Sequence, residues 1–284
     1  MAKLTAMSSI AYGHYTLYQA IPRMAERGFK RIEIGSFYDY CYHFNSGSPT
    51  PPELNAMLAE YDLTPVALNW SPMPSLAYDP DSVKLWLNAF RSKIVQAAEV
   101  GFSMMTMHFG ERNDRDDQES QLATAARTYH EIAQFASDYN VRMLLEVPHA
   151  YNIHWNTEAV FELFDQIASQ NIGALVDSSH WGSIGYDLDP FLDRLGDRLC
   201  HIHLRDAKGP GEPACRDTLT LTPGTGVVDF TKLSRSLDRI GYTGEVTAEL
   251  EYFDMTLGDI EHQYDLGLQH LANAGWELPQ GVKY

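Results

Sequence analysis

Short runs rich in branched and apolar residues alternate along the chain with longer stretches whose apolar positions recur every three or four residues. The runs are Leu4–Ser9, Arg31–Ser36, Pro65–Asn69, Met104–Phe109, Met143–Val147, Ala174–Asp177, Cys200–Leu204 and Val246–Glu251. Successive runs start roughly 26 to 46 residues apart, which leaves room for a strand, a helix and two loops each time. Most are apolar on both parities, as expected of strands covered on both faces. Leu54, Met57, Leu58 and Tyr61 share one helical face, with Pro52 suited to a first turn. Thr157 is expected to cap a second helix carrying Val160, Phe161, Phe164 and Ile167. A third starts at Asp229-Phe230, and Gly241 stands where it would end; Gly28, Gly101 and Gly275 hold the same place after other helices.

Eight β-then-α units without a linker or low-complexity tract predict one domain over residues 1–284, with a parallel sheet and right-handed crossovers. An open doubly wound sheet is the competing architecture. Its nucleotide fingerprint is absent, since neither GxGxxG nor GxxxxGK[ST] occurs. The expectation is an α/β protein built as a (β/α)8 barrel.

Composition narrows the partners. Lys plus Arg is 21 and Asp plus Glu is 38, a net charge of −17. That argues against nucleic acid, whose binding rests on basic residues meeting phosphates. No apolar run approaches the roughly 20 residues that span a bilayer, and no secretion signal is expected at the N-terminus. Cys41, Cys200 and Cys215 form no CxxC pair and read as free thiols of a cytoplasmic protein.

In such a barrel the C-terminal ends of the strands carry chemistry. Here they carry His108, Glu146, Asp177, His180, His201, His203, Arg205, Glu249 and Glu251. A single Glu or Asp at a strand end is usually a cap or a solvated loop residue. Four successive strands ending in Glu146, Asp177, His203 and Glu249 are a different matter, because Glu146 and Asp177 follow apolar pairs and buried charges need a partner or a metal. One imidazole with three carboxylates suits one divalent cation, Mn2+ or Mg2+ first and Co2+ or Zn2+ after them. His201 shares parity with His203 but lies deeper; Glu251 shares parity with Glu249 and is held in reserve.

At these residues the chain resembles the xylose isomerase-like TIM barrel superfamily, in particular its sugar isomerase and epimerase branch. The matching pieces are Asp177-Ser178-Ser179-His180, His201-Ile202-His203-Leu204-Arg205-Asp206, Pro223-Gly224-Thr225-Gly226-Val227-Val228-Asp229-Phe230 and Gly241-Tyr242-Thr243-Gly244 through Glu249, with Ala25 through Glu33 in the first half. The resemblance implies Glu146, Asp177, His203 and Glu249 as metal ligands, and Glu146 and Glu249 as an acid/base pair as in ketose 3-epimerases. It also implies that His180 contacts a substrate oxygen. Arg205 falls where the family often has Lys, near the substrate or in a structural ion pair. His108 joins the expected substrate-binding set.

The implied chemistry is metal-assisted: a cation chelating a carbonyl and its neighbouring hydroxyl acidifies the C–H between them and stabilises the enediolate. Isomerisation or epimerisation of a ketose or related keto-sugar is the leading expectation. Loss of water from a keto-inositol or 3-keto-glycoside, as in inosose dehydratases, is the runner-up. An apurinic-site endonuclease is a weaker rival, since Cys215-Arg216-Asp217-Thr218-Leu219 lacks the D-x-H that enzyme needs. A non-catalytic barrel should have a broken ligand set, and all four positions are filled. The missing Gly-rich cradle points to an unphosphorylated sugar, and a homo-oligomer stays open. The aromatic segment 37–44 after the second strand reads as a lid that stacks on the substrate.

Overall fold

A strand overlaps each apolar run, eight strands in all among the described residues. They are β1 (Ala6–Ser8), β2 (Arg31–Phe37), β3 (Thr64–Ser71), β4 (Met104–Met107), β5 (Arg142–Glu146), β6 (Ile172–Asp177), β7 (Leu199–Leu204) and β8 (Glu245–Ala248). The computed structural model describes residues 1–38, 40–45, 49–71, 79–107, 110, 117–149 and 152–284. All pairings are parallel and follow chain order, and β1 pairs with both β2 and β8, so the sheet closes into a barrel. A helix follows every strand. The architecture is the expected (β/α)8 barrel.

The differences from the sequence reading lie at element ends. β1 begins at Ala6, and its expected last residue opens a short 3-10 helix, Ser9–Tyr12, capped by the Ser8 hydroxyl. β8 stops at Ala248, which leaves Glu249 and Glu251 on the loop beyond it. Phe109, expected in β4, lies outside the described residues. The helix expected to be capped by Thr157 contains it: Asn156 is the cap, its side chain accepting from the Ala159 amide at 2.9 Å. Asp229 caps Phe230–Arg239 as its position suggested, accepting from the Lys232 amide. Gly28, Gly101, Gly241 and Gly275 all have positive φ at helix ends, a conformation that costs a glycine little.

The apolar core lies between barrel and helices, where Trp86, Phe90, Tyr129, Phe164 and Phe230 are fully buried. The upper barrel interior is polar instead. Glu33 of β2 meets His201 and His203 of β7, and Asn69 of β3 meets Thr106 of β4 and Glu249 beyond β8. Neither β2 and β7 nor β3 and β8 are neighbours in the sheet. The contacts of Glu33 with His201 and His203, and of Asn69 with Glu249, therefore cross the lumen. Buried polar groups of this kind hold only when they are paired, and the pairing fixes where each points.

Candidate metal centre

Glu146 ends β5, Asp177 ends β6, His203 is the penultimate residue of β7, and Glu249 follows β8 directly. Asp177 sits opposite His203 in register, and Leu204 opposite Ala248, so the four residues reach one level of the barrel mouth. One ligand atom from each lies within 4.8 Å of the others, and all four residues are buried. Two of the carboxylates are aimed by donors. Asp177 accepts from the Ser179 amide at 2.6 Å and from Arg205. Glu249 accepts from Asn69 Nδ2 at 2.8 Å, and Asn69 in turn accepts from Thr106 at 2.6 Å.

The electrostatics show a site short of positive charge. Glu33, Glu146, Asp177, Glu249 and Glu251 are buried carboxylates, whereas Arg205 is the buried guanidinium among them. Burial pushes the Glu146 carboxyl well up, and the charges of Asp177 and Glu249 push it further. Burial raises Glu249 too. Burial alone would raise Asp177, but Arg205 beside it holds it at about 2. Against the cost of burial, Glu249 and Glu33 hold His203 well above the ordinary imidazole range. Burial lowers His180 to about 4, so it is neutral near pH 7. Buried carboxylates this close raise one another's pKa, and a bound dication would lower them.

A closer observation tests whether a metal fits. His203 Nδ1 and Glu249 Oε2 approach to 2.9 Å, yet both are buried without a hydrogen-bond partner of acceptable geometry. Together with an oxygen each from Glu146 and Asp177, these residues offer four ligand atoms within reach of one ion. Three carboxylates and an imidazole form a hard, oxygen-rich set compatible with Mn2+, Mg2+, Co2+ or Zn2+. The residues present fit a divalent ion.

The other expected residues fall around this cluster. His180, in the helix Ser178–Ile184, places Nε2 3.6 Å from Glu146 Oε1, and its ring lies 4.2 Å from that of His149. Arg205 pairs with Asp177 and Glu251, as its ion-pair reading expected, and it also lines the cavity. Glu251 stands apart from the four-residue cluster, bonded to Arg205. His108 lies outside the described residues. The cavity over the cluster has a volume of about 330 Å³ and is walled by Asn69, Glu146, His149, His180, Arg205 and Glu249 among others. A larger cavity of about 720 Å³ lies at the opposite, N-terminal ends of the strands, and an apolar one of about 300 Å³ lies outside the barrel beside Trp181 and Leu233. Neither contains the clustered ligands.

The expected lid is anchored. Cys41, His43 and Phe44 are buried; His43 bridges Ser9 Oγ at 2.8 Å and the carbonyls of Tyr12 and Tyr15, and Lys93 donates to the Phe44 carbonyl at 2.9 Å. Phe37, Tyr38 and Tyr40 face the cavity as a wall, with Tyr40 stacked on Phe37 and edge-on to Phe253. Asp39 lies outside the described residues.

The sequence reading missed Glu33, Asn69 and His149. A charged residue between Ile32 and Ile34 was the available signal for Glu33, since strand parity turns it away from both.

A family model described as xylose isomerase-like TIM barrel matches residues 21–274. The inosose dehydratase of Geobacillus kaustophilus is 24% identical over 262 residues, covering 84% of this chain and 81% of that enzyme. The D-psicose 3-epimerase of Enterocloster bolteae is 26% identical over 147 residues, covering 51% of this chain and 44% of that enzyme. A crystal structure of the IOLI protein with a bound zinc atom superposes with a TM-score of 0.76 at 18% identity, covering 96% of both chains.

Proposed function

From the premise that this chain belongs to the xylose isomerase-like TIM barrel family, we propose that it is a divalent-metal-dependent isomerase or epimerase of a ketose or related keto-sugar. The observation that carries this reading is the meeting of Glu146, Asp177, His203 and Glu249 in one buried cluster beneath a sugar-sized cavity. Mn2+ is the proposed ion, with Mg2+, Co2+ and Zn2+ as alternatives. When bound, it would draw electron density from a substrate carbonyl and so acidify the neighbouring C–H.

The chain's own residues do the rest. Asp177 and His203 serve as ligands. Glu146 and Glu249 combine ligation with proton transfer, because these two members of the cluster also stand in the wall of the cavity where a substrate would lie. His180, uncharged near pH 7, offers a ring nitrogen to a substrate oxygen beside Glu146. Arg205 presents its guanidinium to the same cavity while holding Asp177 ionised. Tyr40 and Phe37 supply an apolar wall for a sugar face. His108 has no assigned part in this geometry. No helix among the described residues is long and apolar enough to cross a membrane, and the three cysteines are free, which suits the cytoplasm. The net charge of −17 supports a small-molecule substrate over nucleic acid.

A second reading is loss of water from the same deprotonated substrate, a dehydratase acting on a keto-inositol. The long match to an enzyme of that name favours it. One experiment separates the outcomes: metal-loaded protein is incubated in D2O with ketoses, keto-inositols and 3-keto-glycosides and followed by NMR. Deuterium should enter the carbon beside the carbonyl, and only with metal present. Retention of every oxygen in the product supports the isomerase or epimerase, while an unsaturated product supports the dehydratase. No exchange on any substrate, or metal-dependent nicking of abasic DNA that Glu146→Gln abolishes, would overturn the proposal.

A further inference from the structure

Beneath the ligand cluster lies a second buried group that the proposed reaction does not use. Glu33 Oε2 lies 2.9 Å from His203 Nε2 and 3.2 Å from His201 Nε2, and all three residues are wholly buried. Glu33 reaches them from β2 across the lumen, at a point where the β2–β3 register shifts between Ile32 and Glu33. Such irregularities re-aim side chains. Thr247 Oγ1 lies 3.0 Å from the same His201 nitrogen.

The geometry points to Glu33 as a positioning residue that fixes the tautomer of His203, turning its Nδ1 lone pair toward the metal. An ionised carboxylate only accepts hydrogen bonds, so the His203 nitrogen facing it carries the hydrogen. On the neutral ring that a bound metal requires, Nδ1 is then the nitrogen with a lone pair, and it is the atom that faces Glu249 Oε2 at 2.9 Å. Without Glu33 nothing fixes which ring nitrogen carries the hydrogen. A hydrogen on Nδ1 would remove His203 from the ligand set. Glu33 closes that alternative from the far side of the ring. His201 holds Glu33 in place, since its Nε2 approaches the same oxygen from the same strand, two residues deeper. Carboxylates behind a ligating histidine typically matter about 10- to 100-fold in metal affinity.

This inference rests on the metal-centre reading, and its test separates the two. Zn2+, which is diamagnetic, is titrated against a chromophoric chelator into wild-type protein, Glu33→Gln, Glu33→Ala and Asp177→Ala. Affinity should fall about 10- to 100-fold in Glu33→Ala and by less in Glu33→Gln, which keeps one acceptor oxygen. Long-range 1H–15N NMR of Zn2+-loaded wild type should find His203 protonated at Nε2 and metal-bound through Nδ1. A general structural role for Glu33 would not dictate that signature, and the wild-type spectrum decides even if a variant fails to fold. Wild-type binding with both Glu33 variants within about twofold of it, or coordination of His203 through Nε2, overturns the inference alone. No binding to wild type, or undiminished binding to Asp177→Ala, overturns the metal centre and this inference with it.

Discussion

At the scale of single residues, the site sets one electrostatic problem and answers it twice. Glu146 and Glu249 are raised by burial, whereas Asp177, one strand from Glu146, is held at about 2 because Arg205 is bonded to it. Carboxyls of one chemical type are thereby pushed apart by their surroundings. Replacement of Glu146 or Glu249 by Gln keeps size and one oxygen but removes the base. Each variant is expected to lose about 100-fold or more in substrate deuterium exchange while retaining most of its metal. Elemental analysis alongside the exchange assay checks this, and near-wild-type exchange in both variants would move the proton transfer elsewhere, Glu251 first. The four clustered residues were legible in the sequence because each lies at or beside the C-terminal end of a strand, and a closed parallel barrel gathers those ends. Glu33 and Asn69 were not. Their partners lie 170 and 180 residues away, and one polar residue inside a strand carries no sign of what it will meet across a lumen.

At the scale of elements, strand positions were legible and strand ends were not. Periodicity marks where a strand is apolar, while its end depends on local capping. Asn156 and Thr157 illustrate the point, since both are good caps and adjacent, and backbone geometry alone chooses Asn156. Asn156→Ala should cost about 1 kcal/mol of unfolding free energy. Thr157→Ala should fall within about 0.5 kcal/mol of wild type in the same denaturant titration. The segment after β2 gives a sharper case. Carbonyls of Tyr12 and Tyr15 can only accept, so His43 donates to them from Nε2 and accepts from Ser9 at Nδ1, a neutral ring. Burial lowers its pKa to about 4, against about 6.5 in an unfolded chain. The unfolded state therefore binds the proton first. The contribution of His43 is fully present above about pH 6.5 and is lost as pH falls toward 4. Reversible urea unfolding between pH 7 and 4 should show a shallower acid-side decline in His43→Gln than in wild type, by up to about 3 kcal/mol. Parallel profiles would mean that the ring is not held neutral. The same substitution should speed hydrogen exchange in residues 40–45, because the clamp holds that wall against the 3-10 helix.

At the scale of the whole molecule, the closed barrel concentrates acidic groups at one end of a chain that is already acidic. The other connections spread their charge: Arg27, at the end of the helix Leu17–Glu26, pairs with Glu261 and Asp265 of the helix Leu257–Asn273, and Arg31 pairs with Glu245 at the foot of β8. At the mouth, by contrast, one buried guanidinium faces Asp177, Glu249 and Glu251 together, with Glu146 beside them. Like charges held together out of water oppose folding, and a dication that binds only the assembled site opposes that cost. A divalent ion at 100 times its dissociation constant contributes about 2.7 kcal/mol by mass action. For a chain of this length about 1 kcal/mol moves the melting temperature by roughly 2–4 °C, so saturation with the preferred ion should raise Tm by about 5–10 °C over chelator-treated protein. The order of shifts among Mn2+, Mg2+, Co2+ and Zn2+ then ranks the ions without any substrate. Asp177→Ala and His203→Ala should melt at the same temperature with and without metal. A shift of equal size in those variants would place the ion elsewhere on the acidic surface, and no shift in wild type with any of the four would remove the metal from the site.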